Sequence, residues 1–332
     1  MTLEPIILPA NQPADRFYTG GARIAEFRGE SHDGGNTPED WVASTTCLFG
    51  EQSLGLTRLG SGQYLRDAVA TDPVGWLGAE HAQRWGSDTK LLTKLLDAGQ
   101  RLPVHIHPDG AFAGRHLGRA HGKTEAWLVL RPGTVHLGLR REVSPEELAR
   151  LVAEQDTETL LDALHPVAVE AGDAVFVPSG FPHAIGEGIL LVEVQEPEDL
   201  SILLEWEGFA LDPEAPKELG LGFDLALQAT DLRVRTTEEI EDLVVRGGAG
   251  SAMPEAAAPY FRAHWVSAGA LEQGFAVVVV LEGGGTLDWA TGSIEVGRGD
   301  TLVVPHATPA TLTGDLRAAW CRPPAPSAPD AA

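Results

Sequence analysis

Four residues suited to holding a metal ion constrain the fold of this chain more than any other feature. They are His105, His107, Glu125 and His183. The first two stand two positions apart, so on a strand both side chains point to the same face. The other two fall in later segments patterned as strands and turns, and together the set suits Zn, Mn, Fe, Co or Ni. The alternative interpretation is three unrelated histidines and a surface glutamate.

Most of the chain has the pattern of β-strands. A small helical insert is predicted around 144–165, because Ser144 suits an N-cap and Pro145 suits the first helical position. Residues 1–80 are predicted to form strands and turns with little helix. The predicted strands are 102–107, 124–130, 135–139, 167–169, 174–178, 189–195, 200–206, 261–266, 275–281, 285–289, 293–296, 301–304 and 311–312.

One pattern occurs twice, as a strand, a Gly-Asp turn, a second strand and a proline. The two copies are residues 169–178 and 296–305, and such an internal repeat predicts two similar structural units. The second copy has no His-x-His segment upstream. The sequence therefore predicts an N-terminal metal-binding domain over 1–232 that includes the helical insert, a metal-free domain over 233–322 and a disordered tail over 323–332.

Composition limits the classes of partner and the cellular compartment that we expect for this protein. The formal net charge of -24 repels nucleic acid and anionic membranes, so neither is expected as a partner, and a phosphorylated ligand would need a local basic pocket. Cys47 and Cys321 make no disulfide framework, which favours a reducing compartment. Because residues 1–12 lack a secretory pattern and the longest apolar run is too short to span a bilayer, we expect a cytoplasmic protein.

Several segments resemble class I mannose-6-phosphate isomerase in its shorter bacterial form, and the resemblance extends over nearly the whole chain. The most specific segments are those that contain the four metal-ligand candidates. Supporting segments lie near the N-terminus and in the strands beside the predicted site. The resemblance is carried by residues 20–21, 39–41, 91–98, 104–109, 122–127, 176–185 and 193–195.

This resemblance implies a fold, an activity and a site. The implied fold is mainly β, with two cupin barrels and a small helical insert, and only the first barrel binds metal. The implied activity is metal-dependent aldose–ketose isomerisation, mannose 6-phosphate to fructose 6-phosphate, by a monomer or a small homo-oligomer. Zinc is the expected metal, with Mn, Fe, Co or Ni as alternatives. The implied metal ligands are His105, His107, Glu125 and His183, and the implied sugar-pocket residues are Lys94 and Lys123.

Isomerisation moves a proton between C1 and C2 of the open-chain sugar, which requires a base with a pKa near neutral. Lys123 is predicted to position the substrate oxygens. Glu193, Glu187 and Glu205 are candidate bases because they lie near the predicted barrel mouth in sequence. We predict that Lys123 and Glu193 are the catalytic residues.

Three positions depart from the family pattern. His105 stands where the family usually has glutamine, which makes the site three histidines and one glutamate. Pro103 replaces a serine linked to phosphate binding, and it offers neither a hydroxyl nor a backbone N–H. Ile202 stands where counting along the strand places the family's active-site arginine.

These departures keep three alternatives open beside the phosphosugar isomerase. Pro103 and Ile202 favour an isomerase or epimerase of an unphosphorylated sugar. His105 alone favours a cupin oxygenase with iron held by three histidines and one glutamate. The missing arginine also favours a sugar-binding cupin that holds metal without turnover.

Overall fold

The computed structural model describes residues 3–14, 16–212 and 214–331. The predicted N-terminal domain therefore starts, and the predicted tail ends, on residues outside this description. The residues not described are Met1, Thr2, Asp15, Pro213 and Ala332.

Strands make up most of the regular structure. The strands are β1 Ile6–Leu8, β2 Glu39–Val42, β3 Leu92–Asp97, β4 His105–Ile106, β5 Glu125–Arg131, β6 Gly133–Leu139, β7 Leu164–Val169, β8 Ala174–Val177, β9 His183–Ile185, β10 Leu190–Gln195, β11 Ile202–Leu203, β12 Val244–Val245, β13 Gly250–Ser251, β14 Arg262–Val266, β15 Gly269–Ala270, β16 Ala276–Trp289, β17 Gly292–Gly297, β18 Thr301–Val304 and β19 Ala310–Arg322. The α-helices are α1 Ala22–Arg28, α2 Leu65–Thr71, α3 Pro73–Leu77, α4 Ala79–Trp85, α5 Gly110–Leu117, α6 Pro145–Glu154, α7 Thr157–Asp162, α8 Phe223–Ala226 and α9 Thr237–Glu241. Short 3-10 turns lie at Leu227–Ala229 and Glu255–Ala257.

Within the described residues these strands form three sheets. Sheet A contains eight strands, in the order β1-β18-β16-β19-β14-β13, with β15 beside β19 and β17 beside β16. Sheet B has the order β12-β8-β5-β10-β3-β2, and sheet C has the order β11-β4-β9-β6-β7. The mainly-β fold class with a helical insert is confirmed. The division of the chain at residue 232 stays a prediction.

Sheet B is buried on both faces, so alternate residues of its strands enter two different cores. On β5, Trp127 faces a core shared with Leu137 of sheet C. Ala126 and Leu128 face the opposite core, which continues into sheet A. Glu125 lies two residues before Trp127 on the same strand, so its carboxylate points to the same face, into the interior between sheets B and C. That interior is the candidate location of the site.

The predicted helical insert is present. α6 starts after Ser144, whose side chain accepts a hydrogen bond of 3.1 Å from the Glu147 N–H, and Pro145 takes the first helical position. Its apolar side covers the outer face of sheet C, against Val104 and Ile106. In the part of the chain that the structure describes, no helix combines the length and apolar character needed to cross a membrane.

The prediction of little helix in residues 1–80 is wrong, because α1, α2 and α3 lie there and α4 begins there. Glycines mark both ends of α1. Gly21 precedes α1 with φ 115°, and Gly29 ends it with φ 71°. Such left-handed conformations suit glycine and commonly end helices.

The internal repeat corresponds to two turns of the same geometry. Gly172 between β7 and β8 has φ 95°, and Gly299 between β17 and β18 has φ 94°. In each turn the next aspartate accepts the backbone N–H three residues before it, Asp173 from Glu170 at 3.0 Å and Asp300 at 2.8 Å. The same Gly-Asp turn thus connects β7 of sheet C to β8 of sheet B, and β17 to β18 within sheet A.

Two strands beside the predicted site are much shorter than predicted. β4 covers only His105–Ile106, since Pro103 and the proline at 108 cannot donate to a ladder. β11 pairs with it in a register that sets Ile202 opposite Ile106 and Leu203 opposite His105. Cross-strand partners share a face, so Ile202 points outward with Ile106 and His105 points inward.

Asp97, the last residue of β3, ties α1 to sheet B. Its Oδ2 accepts the N–H groups of Gly21 at 2.8 Å and Arg23 at 2.9 Å, and its Oδ1 accepts from the Arg23 guanidinium at 2.8 Å. Asp97→Ala should lower the free energy of unfolding by about 2–4 kcal/mol, since charged hydrogen bonds are lost and two N–H groups lose their acceptor. Urea denaturation measures this. Asp315→Ala, an exposed control in β19, should stay within about 0.5 kcal/mol, and equal midpoints for both variants would contradict the assigned role.

Candidate metal centre

Three imidazoles converge in the interior between sheets B and C. His105 and His183 are direct cross-strand partners on β4 and β9, with ring centroids 4.1 Å apart. His107 lies 4.9 Å from each of them by the same measure. One ligand atom from each ring lies within 4.8 Å of the others. The three rings are buried, and this cluster could hold a metal ion.

Backbone carbonyls fix which nitrogen of each ring carries the proton. The Nδ1 atom of His105 lies 2.8 Å from the Pro103 carbonyl oxygen, and that of His183 lies 2.7 Å from the Phe181 oxygen. His107 Nδ1 lies 2.7 Å from the carbonyl of residue 200. A carbonyl can only accept, so each Nδ1 donates, and each Nε2 keeps the lone pair that a metal ligand needs.

The carboxylate of Glu125 closes the group. Its Oε2 lies 3.1 Å from His107 Nε2, and its Oε1 lies 3.5 Å from His183 Nε2. The indole N–H of Trp127 donates to Oε1 at 2.9 Å and orients the carboxylate. The structure therefore brings together the four residues that the sequence singled out.

The donor set fits a divalent cation. With Nδ1 protonated, the Nε2 atoms are acceptors, and they face another acceptor, the Glu125 carboxylate. His183 Nε2 is buried and has no hydrogen-bond partner among the described residues. Lys123 Nζ supplies positive charge, 2.9 Å from Glu125 Oε2 and 3.0 Å from His107 Nε2. Three neutral imidazoles and one carboxylate are ligands that first-row divalent metals accept.

Burial holds the histidines in the form that binds metal. Desolvation by burial lowers the pKa of His107 to about 3, and the nearby charge of Lys123 acts in the same direction. Burial, with the neighbouring histidines, lowers the pKa of His105 well below its ordinary value. Because the imidazoles of His105 and His107 stay neutral, their lone pairs are available at neutral pH.

Lys94 and Glu193 are neighbours of this cluster on sheet B. They are direct cross-strand partners, flanked in the same row by Trp41 and Trp127. Lys94 Nζ lies 3.2 Å from Glu193 Oε1 and 4.6 Å from the centroid of the Trp41 ring. Lys123 Nζ lies 3.9 Å from the same oxygen. Glu193 is thus held between two lysines at the edge of the histidine cluster.

A cavity of about 30 Å³, the size of a water molecule, lies beside these groups. Its wall carries three cations and four carboxylates, so a divalent cation in the histidine cluster would turn a negative excess into a positive one. These charged residues are Arg16, Lys94, Lys123, Glu39, Glu125, Glu193 and Asp199.

Sequence reasoning missed Arg16, Glu39 and Asp199. Arg16 Nε lies 3.1 Å from Glu39 Oε1, and Tyr18 donates to the same oxygen at 2.7 Å. A signal for Glu39 was present, since the spacing Glu-x-Trp occurs at Glu39 and again at Glu125. In both copies the tryptophan N–H donates to the glutamate two residues before it, at 2.7 Å and 2.9 Å.

The other residues discussed from sequence lie elsewhere or play another part. Ile202 is fully buried on the outer face of sheet C among aliphatic side chains, so an arginine there would not reach the site. Glu205 binds the Arg101 guanidinium with both oxygens and accepts the Val104 N–H at 2.8 Å, which holds the entry to β4. Glu187 is exposed. Of the three candidate bases, Glu193 is the one that lines the cavity.

Curated relatives of this chain share one name. A mannose-6-phosphate isomerase of Streptococcus mutans is 41% identical over 133 residues, which span 38% of this chain and 41% of that protein. The mannose-6-phosphate isomerase ManA of Bacillus subtilis is 28% identical over 323 residues, 92% of this chain and 94% of that protein. No family model matches the chain.

The chain is therefore similar in sequence to proteins named mannose-6-phosphate isomerase, over most of its length in the case of ManA. Solved structures show the shared fold. The mannose 6-phosphate isomerase of Bacillus subtilis superposes with a TM-score of 0.69 at 21% identity, covering 96% of this chain and 100% of that one. The apo enzyme of Salmonella typhimurium gives 0.72 at 16% identity, covering 97% and 100%.

Metal content tests the candidate ligand set. His107→Ala and His183→Ala should each reduce bound metal to below about a tenth of the wild-type content, since each removes a neutral nitrogen donor. His136→Ala is the matched control, because His136 pairs with Ala184 on the other face of sheet C. Elemental analysis of purified protein gives the metal content. Full metal content in both site variants would defeat the ligand set.

Proposed function

We propose that this chain is a metal-dependent isomerase that converts mannose 6-phosphate to fructose 6-phosphate. One observation carries the proposal: a cluster of three buried histidines lies beside one interior cavity, which two glutamates and two lysines line. The names of the curated relatives point to the same reaction. Neither of these relatives is named as an oxygenase or a binding protein, so those alternatives lack this support.

Zinc is the metal we propose, held by His105, His107, Glu125 and His183. A bound divalent cation would act as a Lewis acid and stabilise negative charge that develops on the substrate oxygens. The carbonyl contacts of the three histidines keep their Nε2 atoms directed at one place, and Trp127 does the same for the carboxylate. Manganese, iron, cobalt and nickel are compatible with this donor set.

Glu193 is our choice for the group that moves the proton between C1 and C2. Its pKa is raised, chiefly by burial. The negative charge of Glu125 also raises this pKa, whereas the positive charges of Lys94 and Lys123 lower it. A carboxyl whose pKa is raised toward neutrality both accepts and returns a proton efficiently. Its Oε1 is ion-paired with Lys94 at 3.2 Å, and the side chain lines the cavity in which a substrate would lie.

Lys123 and Lys94 would hold and orient the sugar. Lys123 Nζ sits beside both a metal-ligand carboxylate and Glu193, so it can donate to oxygens near the reacting carbons. Arg16 lines the cavity and is our candidate for the cation that binds the phosphate, in place of the arginine expected at residue 202. Ser201 also lines the cavity and offers a hydroxyl where Pro103 offers none.

The small volume of the cavity requires that its wall change on substrate binding. A hexose phosphate cannot enter a space of about 30 Å³, so residues of the wall must move when substrate binds. Arg16 and Lys94 are held by ion pairs to Glu39, and exchange of these pairs for contacts with a phosphate would free both side chains to move. A small-molecule substrate, a cytoplasmic location and a monomer or small homo-oligomer remain our predictions for the protein in the cell.

A coupled assay with mannose 6-phosphate, on protein loaded with zinc, tests the function. We expect turnover of mannose 6-phosphate and little turnover of free mannose. Glu193→Gln should lower kcat by about 10²–10⁴-fold, as loss of a general base does. Glu187→Gln, an exposed glutamate on the turn before β10, should leave kcat unchanged.

The pH profile separates a base from a structural residue. Because the pKa of Glu193 is raised above 4.5, the carboxylate is protonated, and kcat/KM is lost, as pH falls through that higher value. The acid limb of the wild type should lie above pH 4.5 at constant metal content, and it should be absent from the residual activity of Glu193→Gln. An unchanged acid limb in that variant would assign the proton transfer to another group. Activity on free mannose alone would replace the phosphosugar with an unphosphorylated substrate.

A further inference from the structure

A second charged cavity lies in the cleft between sheets A and B. Its volume is about 350 Å³, large enough for a small organic phosphate. Four arginines and two glutamates line it, and even with Arg23 paired to Asp97 a local excess of one positive charge is left on a chain whose formal net charge is -24. The charged residues of the cleft are Arg23, Arg131, Arg298, Arg317, Glu26 and Glu282.

Arg317 and Arg298 are held in place mainly by contacts other than those with the glutamates of the cleft. Arg317 donates to the Gly248 carbonyl at 2.6 Å, and its guanidinium lies 4.8 Å from the centroid of the Trp265 ring. The guanidinium of Arg298 lies 5.2 Å from the Phe27 ring centroid. Stacking and backbone contacts leave most of the N–H donors of these two arginines free for another acceptor.

The glutamates are held loosely. Glu282 lies 3.9 Å from Arg317, Glu26 lies 3.9 Å from Arg131, and each glutamate side chain is 71% exposed. Ion pairs of this length at the surface contribute little to stability. Arg298 has no carboxylate within ion-pair distance among the described residues. An incoming anion could therefore displace both glutamates into water at small cost.

We propose that this cleft binds a small phosphate-bearing anion, free or esterified. A guanidinium presents a planar fork of donors that matches phosphate oxygens, and several forks around one space favour a dianion over a single carboxylate. The Trp265 Nε1–H is buried in the same wall and has no hydrogen-bond partner among the described residues. The apolar walls at Val129, Leu190 and Leu281 would cover a carbon skeleton attached to the phosphate.

This cleft is separate from the catalytic cavity. Both touch β5, whose first residue is Glu125 and whose last is Arg131. Six residues of extended strand separate the two positions by roughly 20 Å. The sites therefore lie at opposite ends of the strand, and an anion in the cleft does not compete with the substrate.

Isothermal titration calorimetry of the zinc-loaded protein with pyrophosphate and with glycerol 3-phosphate tests the proposal. Arg298→Glu should weaken binding of the anion in the cleft by roughly tenfold or more, since it replaces an exposed, carboxylate-free cation with a negative charge. Arg150→Glu is the matched control for net charge, because Arg150 lies on α6 and is paired with Glu154. Turnover of mannose 6-phosphate should be unchanged in both variants, which also shows that they fold.

The two probes distinguish the source of the phosphate. Binding of pyrophosphate alone that is lost in Arg298→Glu supports a site for inorganic anions, and binding of glycerol 3-phosphate that is lost in that variant supports a site for phosphate esters. Wild-type affinity in Arg298→Glu, or an equal loss in Arg150→Glu, overturns the proposal. The proposal is also overturned if neither probe binds anywhere outside the site that the substrate occupies.

Discussion

Charge buried between sheets B and C must be paired or hydrogen-bonded, and the rest of the site follows from that constraint. An isolated charge in such an interior costs several kcal/mol or more. The strands of sheet B nevertheless point Lys94, Glu125 and Glu193 inward. Each of these side chains contacts a charge of opposite sign, and the tryptophan N–H groups satisfy further carboxylate oxygens. The interior is thus a network that depends on each of its members.

That network would allow the proposed metal and the proposed base to share one small space. Glu125 is directed at the histidines by Trp127, while Glu193, one strand away, is directed at the two lysines. The environments differ in consequence. The positive charge of Lys123 and the contact with His107 lower the pKa of Glu125 against the effect of burial, whereas burial prevails at Glu193 and raises its pKa. One carboxylate is suited to hold a cation, and the other is suited to exchange a proton.

The sequence could single out the four candidate ligands because part of their arrangement is set locally. A two-residue spacing on a strand determines that His105 and His107 share a face, and the resemblance supplied the glutamate and the distant histidine. Position Ile202 was misjudged, because the direction of a side chain depends on the register with β4, which spacing along the chain does not reveal. Arg16 reaches the cavity through tertiary packing of a segment without regular structure.

Helices near the N-terminus were missed for a related reason. They are short, and their glycine ends resemble turn signals, so they depend on packing against sheets A and B more than on their own periodicity. The strands of sheet B were easier to recognise, since burial on both faces makes them continuously apolar except at functional positions. Charged residues inside such apolar strands were the most useful sign of the site.

The most direct test of the central claim is X-ray absorption spectroscopy at the edge of the metal in the zinc-loaded protein. We expect one metal per chain, with three imidazole nitrogens and carboxylate oxygen in its first coordination sphere at about 2.0–2.2 Å. A spectrum with sulfur ligands, or with fewer than two imidazoles, would contradict the proposed ligand set.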